Sequence, residues 1–294
     1  MNKKTLSFAD LFLLCVVVIW GTNYIVGKIA LREFDPTSFA ALRTILAAPV
    51  LFLALGLKER RVHLTKKDIP PYILLGLLGN VLNRFGWSYG LHFTTASNAS
   101  LLMATTPILA ALFSSLFRIE MATLKSALGI GVAFLGVFFV IKGDFSDLGL
   151  GKATLIGDFL MLGAALSWAL FSIFAKPLLL DYSILKLTAW SAQFGAVFLV
   201  PFILRPLAQG AFAHPTLKGW LSLLYVSILG NALAHIFWVA GISKIGPTKT
   251  TMYHTFVPVV AIFFAVMFFG ESLLGIQIVG VVLVLGGVYV TRFV

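Results

Sequence analysis

The chain is a succession of apolar runs separated by short polar breaks, and that alternation constrains its fold more than any single motif. The runs read as 8–31, 37–57, 70–91, 96–117, 123–141, 154–175, 184–204, 218–242, 248–269 and 273–291. Each is close to the roughly 20 apolar residues a helix needs to cross a bilayer. Backbone amides find no water in hydrocarbon, so segments of this length must span as helices. Ten spans use about 200 residues, and loops and tails take up the rest of the 294, leaving no room for a soluble domain. Composition agrees, at 60% hydrophobic and 11% charged, against roughly 45–50% and 25% in soluble domains. The expected class is an all-α membrane protein with ten transmembrane helices.

The formal net charge of +11 reports topology. A nucleic-acid binder concentrates Lys and Arg on one solvated face, whereas these charges fall between apolar runs. An even number of spans puts both termini on one side. With the N-terminus cytoplasmic, fourteen Lys and Arg lie inside: Lys3, Lys4, Lys58, Arg60, Arg61, Lys66, Lys67, Arg118, Lys125, Lys176, Lys186, Lys244, Lys249 and Arg292. Only five lie outside: Arg32, Lys142, Lys152, Arg205 and Lys218. This positive-inside bias predicts a multi-pass protein of the cell inner membrane with cytoplasmic N- and C-termini. It places Lys66 and Lys67 inside and residues 143–151 outside. The expected macroscopic partner is the lipid bilayer, with no nucleic acid. The single cysteine, Cys15, excludes a disulfide framework within the chain.

An internal repeat organises the spans. Asp10, Trp20 and Lys28 recur as Asp158, Trp168 and Lys176 at an offset of 148. At an offset of 151, Gly79-Asn80 meets Gly230-Asn231, Trp87 meets Trp238, Gly90 meets Gly241, Pro107 meets Pro258, Glu120 meets Glu271, Gly129 meets Gly280 and Gly136 meets Gly287. The first run, with its basic flank Lys3-Lys4, therefore has a structural twin and reads as a retained helix, not a cleaved signal peptide. The units are 1–147 and 152–294. Each holds five spans, an odd number, so the second enters the membrane from the opposite side. The repeats are inverted, an architecture that lets one central site face either side in turn.

The stretches VVVIWGTNYIVGKIAL (Val16 to Leu31), LSWALFSIFAKPLL (Leu166 to Leu179) and FGESLLGIQIVGVVLVLGGVYV (Phe268 to Val290) resemble the drug/metabolite transporter superfamily, specifically its EamA branch. The resemblance covers essentially the whole chain. It implies ten helices, two EamA repeats, and export or uptake of small metabolites, often amino acids, through a central cavity. The family's frequent Gly-Glu pair is kept at Gly270-Glu271 but reads Ile119-Glu120 in the first half.

Polar groups that persist in hydrocarbon are expected to face the bundle interior or a wet cavity. In the third run, Asn80, Asn83, Arg84 and Trp87 fall at i, i+3, i+4 and i+7, one helical face. The eighth repeats it as Asn231, Ala234, His235 and Trp238. Arg84 and His235 are thus symmetry partners across the expected cavity, while the asparagines are also suited to interhelical hydrogen bonding. Trp20 and Asn23 share a face of the first run with Gly27, and Trp168 is the twin of Trp20. Thr105 and Asn98 lie together in the fourth run, and His254 near the matching point of the ninth with Thr250 and Tyr253. Arg43, with Gln193 at its approximate repeat position, reads as a brace to neighbouring helix ends in the second run, or alternatively as a second buried donor. Pro107 and Pro258 would each kink a span, and twinned kinks suit gating. Glu120 and Glu271 are placed to cap the fifth and tenth helices. Gly129, Gly136, Gly280 and Gly287 form small-residue stripes for close helix approach.

No HExxH, Walker loop or GxSxG is present, and no paired carboxylates sit at mid-span, so the reading is not an enzyme, with no cofactor and no metal site. The sequence predicts a secondary active transporter of small metabolites working by alternating access. A passive channel or facilitator, a receptor or intramembrane enzyme on a similar bundle, and a multidrug exporter of the same superfamily are the alternatives. The first run lacks the mid-membrane glutamate of the related small multidrug exporters, which disfavours a cationic-drug antiporter. Mid-span ionisable groups are cationic or can become so: Arg84, His235 and His254. An unpaired cation in a low-dielectric cavity calls for an anion. The expected substrate is a zwitterionic or anionic small molecule such as an amino acid, exported with a coupling proton on His235.

Overall fold

The computed structural model describes residues 7–59, 62–94, 96–121, 123–141, 152–269 and 275–293, and the described residues form helices joined by turns. Helix α1 (Phe8–Ala30) begins at a capping box in which the Asp10 carboxylate accepts from Ser7 N at 2.6 Å and Ser7 Oγ at 2.7 Å. Helix α2 (Pro36–Lys58) starts from Asp35, whose carboxylate accepts from Ser38 N at 3.0 Å, with Pro36 at the first position. Such caps satisfy the amide donors that the first turn leaves open. At 23 residues and about 1.5 Å rise per residue, each helix is long enough to cross hydrocarbon.

Six described segments are long and apolar enough to span: Phe8–Ala30, Pro36–Lys58, Ala99–Leu116, Leu155–Leu178, Ile184–Ala208 and Leu217–Ile245. Shorter apolar helices cover Leu124–Phe139 and Ile278–Thr291. The third expected run forms α3 (Ile69–Gly76), a π-helical stretch Leu77–Leu82 and α4 (Asn83–Phe93). It is not one of the six: Asn80, Asn83, Arg84, Ser88 and His92 dilute its hydropathy. The fourth run is α5 (Ala96–Met103) and α6 (Thr106–Leu116), and the fifth is α7 (Leu124–Ile141). Helices α8 (Lys152–Leu178) and α9 (Ile184–Ala208) follow. Then come α10 (Leu217–Tyr225), a second π-helical stretch Val226–Leu233, and α11 (Ala234–Ile245). The ninth run divides into α12 (Pro247–Thr251), a 3-10 turn Met252–Thr255 and α13 (Phe256–Phe269), before α14 (Gly275–Phe293).

Two local expectations change. The fourth and ninth spans are not continuous helices kinked at proline. Each is broken before its proline, at Ala104-Thr105 and at the Met252–Thr255 turn, so Pro107 and Pro258 sit in the first turns of α6 and α13. There the missing proline N–H leaves no helical bond unmade. Glu120 caps a different helix from the one expected: its carboxylate accepts from Thr248 N at 3.2 Å, at the start of α12. Gly246 precedes that helix at φ +84°, and a Cβ on it would collide with Glu120 Oε1, so this turn requires glycine. Glu271 and Gly270, together with residues 143–151, lie outside the described residues.

Packing between the halves follows a regular pattern. Helix α1 packs on α11 and α13, and its counterpart α8 packs on α4 and α6; α2 lies on α9, and α7 on α14. Individual contacts recur at the repeat offsets. A Cβ at Gly90 would meet Met161 Cε at 2.9 Å, and one at Gly241 would meet Leu13 Cδ2 at 2.8 Å. In the α7–α14 pair Gly129 faces Gly287 and Gly136 faces Gly280, each Cβ position lying 2.7 Å from the opposing carbonyl oxygen. These helices are therefore antiparallel, with backbones in near contact, which only small residues permit. Both π-helical stretches carry the recurring Gly-Asn pair. Large apolar side chains such as Leu11, Leu14 and Val18 of α1 and Leu128, Val132 and Leu135 of α7 are exposed, the outward pattern of a protein solvated by lipid.

Candidate binding cavity

The break between α5 and α6, and the one between α12 and α13, open space beside the middle of α1 and α8. A small cavity of about 40 Å³ lies there. Trp20, Asn23 and Tyr24 of α1 line it, with Arg43 of α2, Asn83, Arg84 and Trp87 of α4, Ser100 and Met103 of α5, Trp168 of α8, His254 of the 3-10 turn and Val257 of α13. The i, i+3, i+4, i+7 face read in the third run supplies three of these.

Two guanidinium groups dominate its chemistry. Arg84 is 5% exposed and lies over the Trp168 ring at 5.3 Å; its Nη1 donates to Asn83 Oδ1 at 3.1 Å. Asn83 in turn donates through Nδ2 to the Ala164 carbonyl of α8 at 3.0 Å, fixing the pair against the neighbouring helix. Arg43, 3% exposed, lies over the Trp87 ring at 4.6 Å, and its Nη2 donates to Asn231 Oδ1 at 3.2 Å. Asn231 Nδ2 returns a hydrogen bond to the Arg43 carbonyl at 3.0 Å. Among the described residues, Arg43 Nε and Nη1, Arg84 Nε and Nη2, and Trp168 Nε1 are buried donors without partners. On the cavity wall the corresponding acceptor is Asn23 Oδ1. A buried donor left unmade is costly, and acceptor atoms of a guest could meet these donors.

Aromatic rings hold the site from one side. Trp20, Trp168, Trp238 and His254 form a cluster with neighbouring ring centroids 4.8–5.7 Å apart. Trp20 Nε1 donates to the Gly230 carbonyl at 3.1 Å and Trp238 Nε1 to Ser172 Oγ at 3.0 Å, which leaves Trp168 as the ring whose N–H is free for a ligand.

The structure therefore gathers Trp20, Asn23, Asn83, Arg84, Trp87, Trp168 and His254 at one cavity and places the other expected residues behind it. Trp238 backs the ring cluster. Asn231 reaches the site only through Arg43. Asn80 is buried beside Gly195 of α9, its Nδ2 without a partner among the described residues. His235 packs against Trp168 and Phe171, at 5.3 and 4.9 Å between centroids, with neither ring nitrogen hydrogen-bonded among the described residues. Thr105 donates to the Leu102 carbonyl at 2.6 Å and ends α5. Pro107 and Pro258 are buried beside the breaks, and the Asn98 side chain lies outside the described residues. Tyr24, Ser100, Met103 and Val257 escaped the sequence reading, and Arg43, read as a brace, is itself a wall of the cavity. Its position as a charge in the middle of an apolar run was the available signal.

The fold and site define a polytopic helical membrane protein with a small interior cavity rich in hydrogen-bond donors. The sequence pattern of the EamA-like transporter family matches residues 7–142 and again 155–293; the chain belongs to this family of transporters. It is 30% identical over 294 residues to an "Uncharacterized transporter" of Archaeoglobus fulgidus, covering 99% of this chain and 98% of that one. A "Probable amino-acid metabolite efflux pump" of Salmonella typhimurium is 28% identical over 303 residues, covering 98% and 96%. The similar protein YoaV of Bacillus subtilis, an "Uncharacterized transporter", is 26% identical and covers 96% and 95%. A solved crystal structure superposes with a TM-score of 0.78 at 17% identity, covering 97% of this chain and 96% of its own, a likeness of fold.

Proposed function

We propose that the protein is a secondary active transporter that exports small carboxylate-bearing metabolites across the cytoplasmic membrane by alternating access. The observation that carries the reading is the pair of buried guanidiniums at the cavity, with open donors and no carboxylate among the cavity residues. A carboxylate entering between them satisfies donors that are otherwise unmade, and charge-assisted bonds of this kind are the strong ones. Asn23 Oδ1 is the acceptor for a substrate amino group, and the Trp20–Trp168 wall takes the apolar remainder. The relatives whose names describe amino-acid metabolite efflux support both the direction and this class of solute.

The transport cycle rests on ten spans in two inverted repeats, 1–147 and 152–294, with both termini cytoplasmic. The twofold pattern of contacts supports this: Gly129–Gly287 and Gly136–Gly280 exchange under the repeat offset, as do Gly90–Met161 and Gly241–Leu13. The π-helical stretches and the breaks before Pro107 and Pro258 are the points where the two halves bend between outward and inward packings. A coupling proton is best carried by His254, which lines the cavity and whose Nδ1 lies 3.2 Å from Thr106 Oγ1, and not by His235, which does not line it.

Counterflow in proteoliposomes tests the proposal. Vesicles preloaded with an amino acid should accelerate uptake of the labelled compound from outside. Uptake through a passive facilitator that behaves as an open pore would be indifferent to the internal load, and that result would overturn alternating access.

A further inference from the structure

Resting on the cavity as an anion site, we propose that its substrate carries two anionic groups, one held by Arg84 and the other by Arg43. The two guanidiniums are not equivalent, and their open atoms say what each can hold. Arg84 keeps Nε and Nη2 without partners, the adjacent nitrogens of the side edge of the fork, which match the two oxygens of one carboxylate. Its remaining nitrogen is tied down by Asn83, so the edge is oriented before any ligand arrives. Arg43 has its side edge interrupted, because Nη2 is taken by Asn231. It offers Nη1 and Nε separately and suits a single oxygen from each of two directions.

Charge balance leads to the same count. Among the described residues, each guanidinium meets aromatic faces, Trp168 under Arg84 and Trp87 and Phe39 beside Arg43, and one amide oxygen, with no carboxylate on the cavity wall. A cation–π contact and an amide dipole lower the cost of a buried charge without cancelling it. A substrate with one carboxylate neutralises one arginine and leaves the other as an unpaired buried charge. A substrate with two anionic groups neutralises both, and its fit then depends on reaching from α4 to α2. Dicarboxylates and phosphorylated carboxylates share this chemistry. Asn231 acts here as a positioning residue: its two hydrogen bonds to Arg43 hold the second guanidinium on the cavity wall.

The test uses the full-length protein in detergent, with ligand binding read from tryptophan fluorescence, since four of the cavity-lining or backing rings are indoles. The probes are succinate against succinamate and glutamate against glutamine, so that charge changes while size hardly does, together with 3-phosphoglycerate, which carries a carboxylate and a phosphate. The doubly anionic member of each carboxylate pair should bind roughly tenfold tighter or better. Relative affinities of succinate and 3-phosphoglycerate then separate carboxylate from phosphate as the second group. Arg43→Gln should erase the difference within each pair, and Arg43→Lys should restore part of it. Equal binding of succinate and succinamate by the wild-type protein would overturn the proposal and leave the single-carboxylate reading intact. A preference that survives in Arg43→Gln would equally overturn it. Failure of all five probes to bind would overturn the anion site itself.

Discussion

Asn231→Leu isolates one link between the halves of the molecule. The substitution removes an amide that accepts from Arg43 Nη2 at 3.2 Å and donates to the Arg43 carbonyl at 3.0 Å. The first bond involves a charged donor, a class that contributes about 1.5–3 kcal/mol in water-soluble proteins. Polar contacts between membrane helices average nearer 0.6 kcal/mol, because the unfolded segments find other partners in the bilayer. The second bond is worth less, since the Arg43 carbonyl already lies inside α2. Leaving a third nitrogen of Arg43 open adds to Nε and Nη1, already without partners, and moves the sum toward the upper end of the range. We therefore expect Asn231→Leu to destabilise the protein by about 2 kcal/mol. Unfolding in mixed micelles with increasing SDS, run on Asn231→Leu, Arg43→Gln and the double variant, measures it. The cycle should return a coupling of about 1–2 kcal/mol. Additivity to within about 0.3 kcal/mol would refute the argument that Asn231 fixes Arg43.

Other expectations follow from the same structure. Gly287→Leu should destabilise by at least about 1–3 kcal/mol, because its side chain enters the α7 backbone at Gly129 and Ala133; Gly131→Leu, where nothing lies within 4 Å, should be near neutral, and both are read by the same SDS titration. Outside the membrane, the Asp68 carboxyl is held at a pKa of about 2, chiefly by the hydrogen bond from the Tyr182 hydroxyl and then by Thr65 N at 2.8 Å. A depressed folded pKa adds stability that is present above the ordinary value of 3.8 and is lost as the pH falls through about 2. Asp68→Asn should therefore show a shallower fall of thermal stability over that acid range than wild type, and an unchanged slope would contradict the assignment. For topology, Lys67→Cys and Ser146→Cys on a Cys15→Ala background should react oppositely with an impermeant maleimide applied outside intact cells. Equal external labelling of both would contradict ten spans with cytoplasmic termini.

The sequence made the helical class and the polar face of the third run legible because both are periodic properties of single segments. Asn83, Arg84 and Trp87 share a face by spacing alone, and they do meet at the cavity. The eighth run shows where that reasoning stops. Its matching face carries His235 and Trp238, yet both rings pack against Trp168 and neither lines the cavity. Symmetry at the level of sequence became asymmetry at the site because the cavity lies nearer α4 than α11. Arg43 was visible as a charge in an apolar run, but a brace and a ligand-binding wall have the same sequence. Only the Trp87 face beneath it and Asn231 beside it distinguish the two. The breaks before Pro107 and Pro258 were likewise hidden, since proline marks an interruption without saying whether the helix bends or stops.

The central claim is that a guanidinium at the cavity receives a substrate carboxylate, and the affinity of Arg84 variants for glutamate tests it most directly. Calorimetric titration of purified wild type, Arg84→Gln and Arg84→Lys should show Arg84→Gln weakened about 10–100-fold, the loss of a bidentate charge-assisted pair. Arg84→Lys should recover only part of that, because an ammonium lacks the fork. Glutamate affinity unchanged in a folded Arg84→Gln protein would contradict the account and return Arg84 to a purely structural role against Trp168.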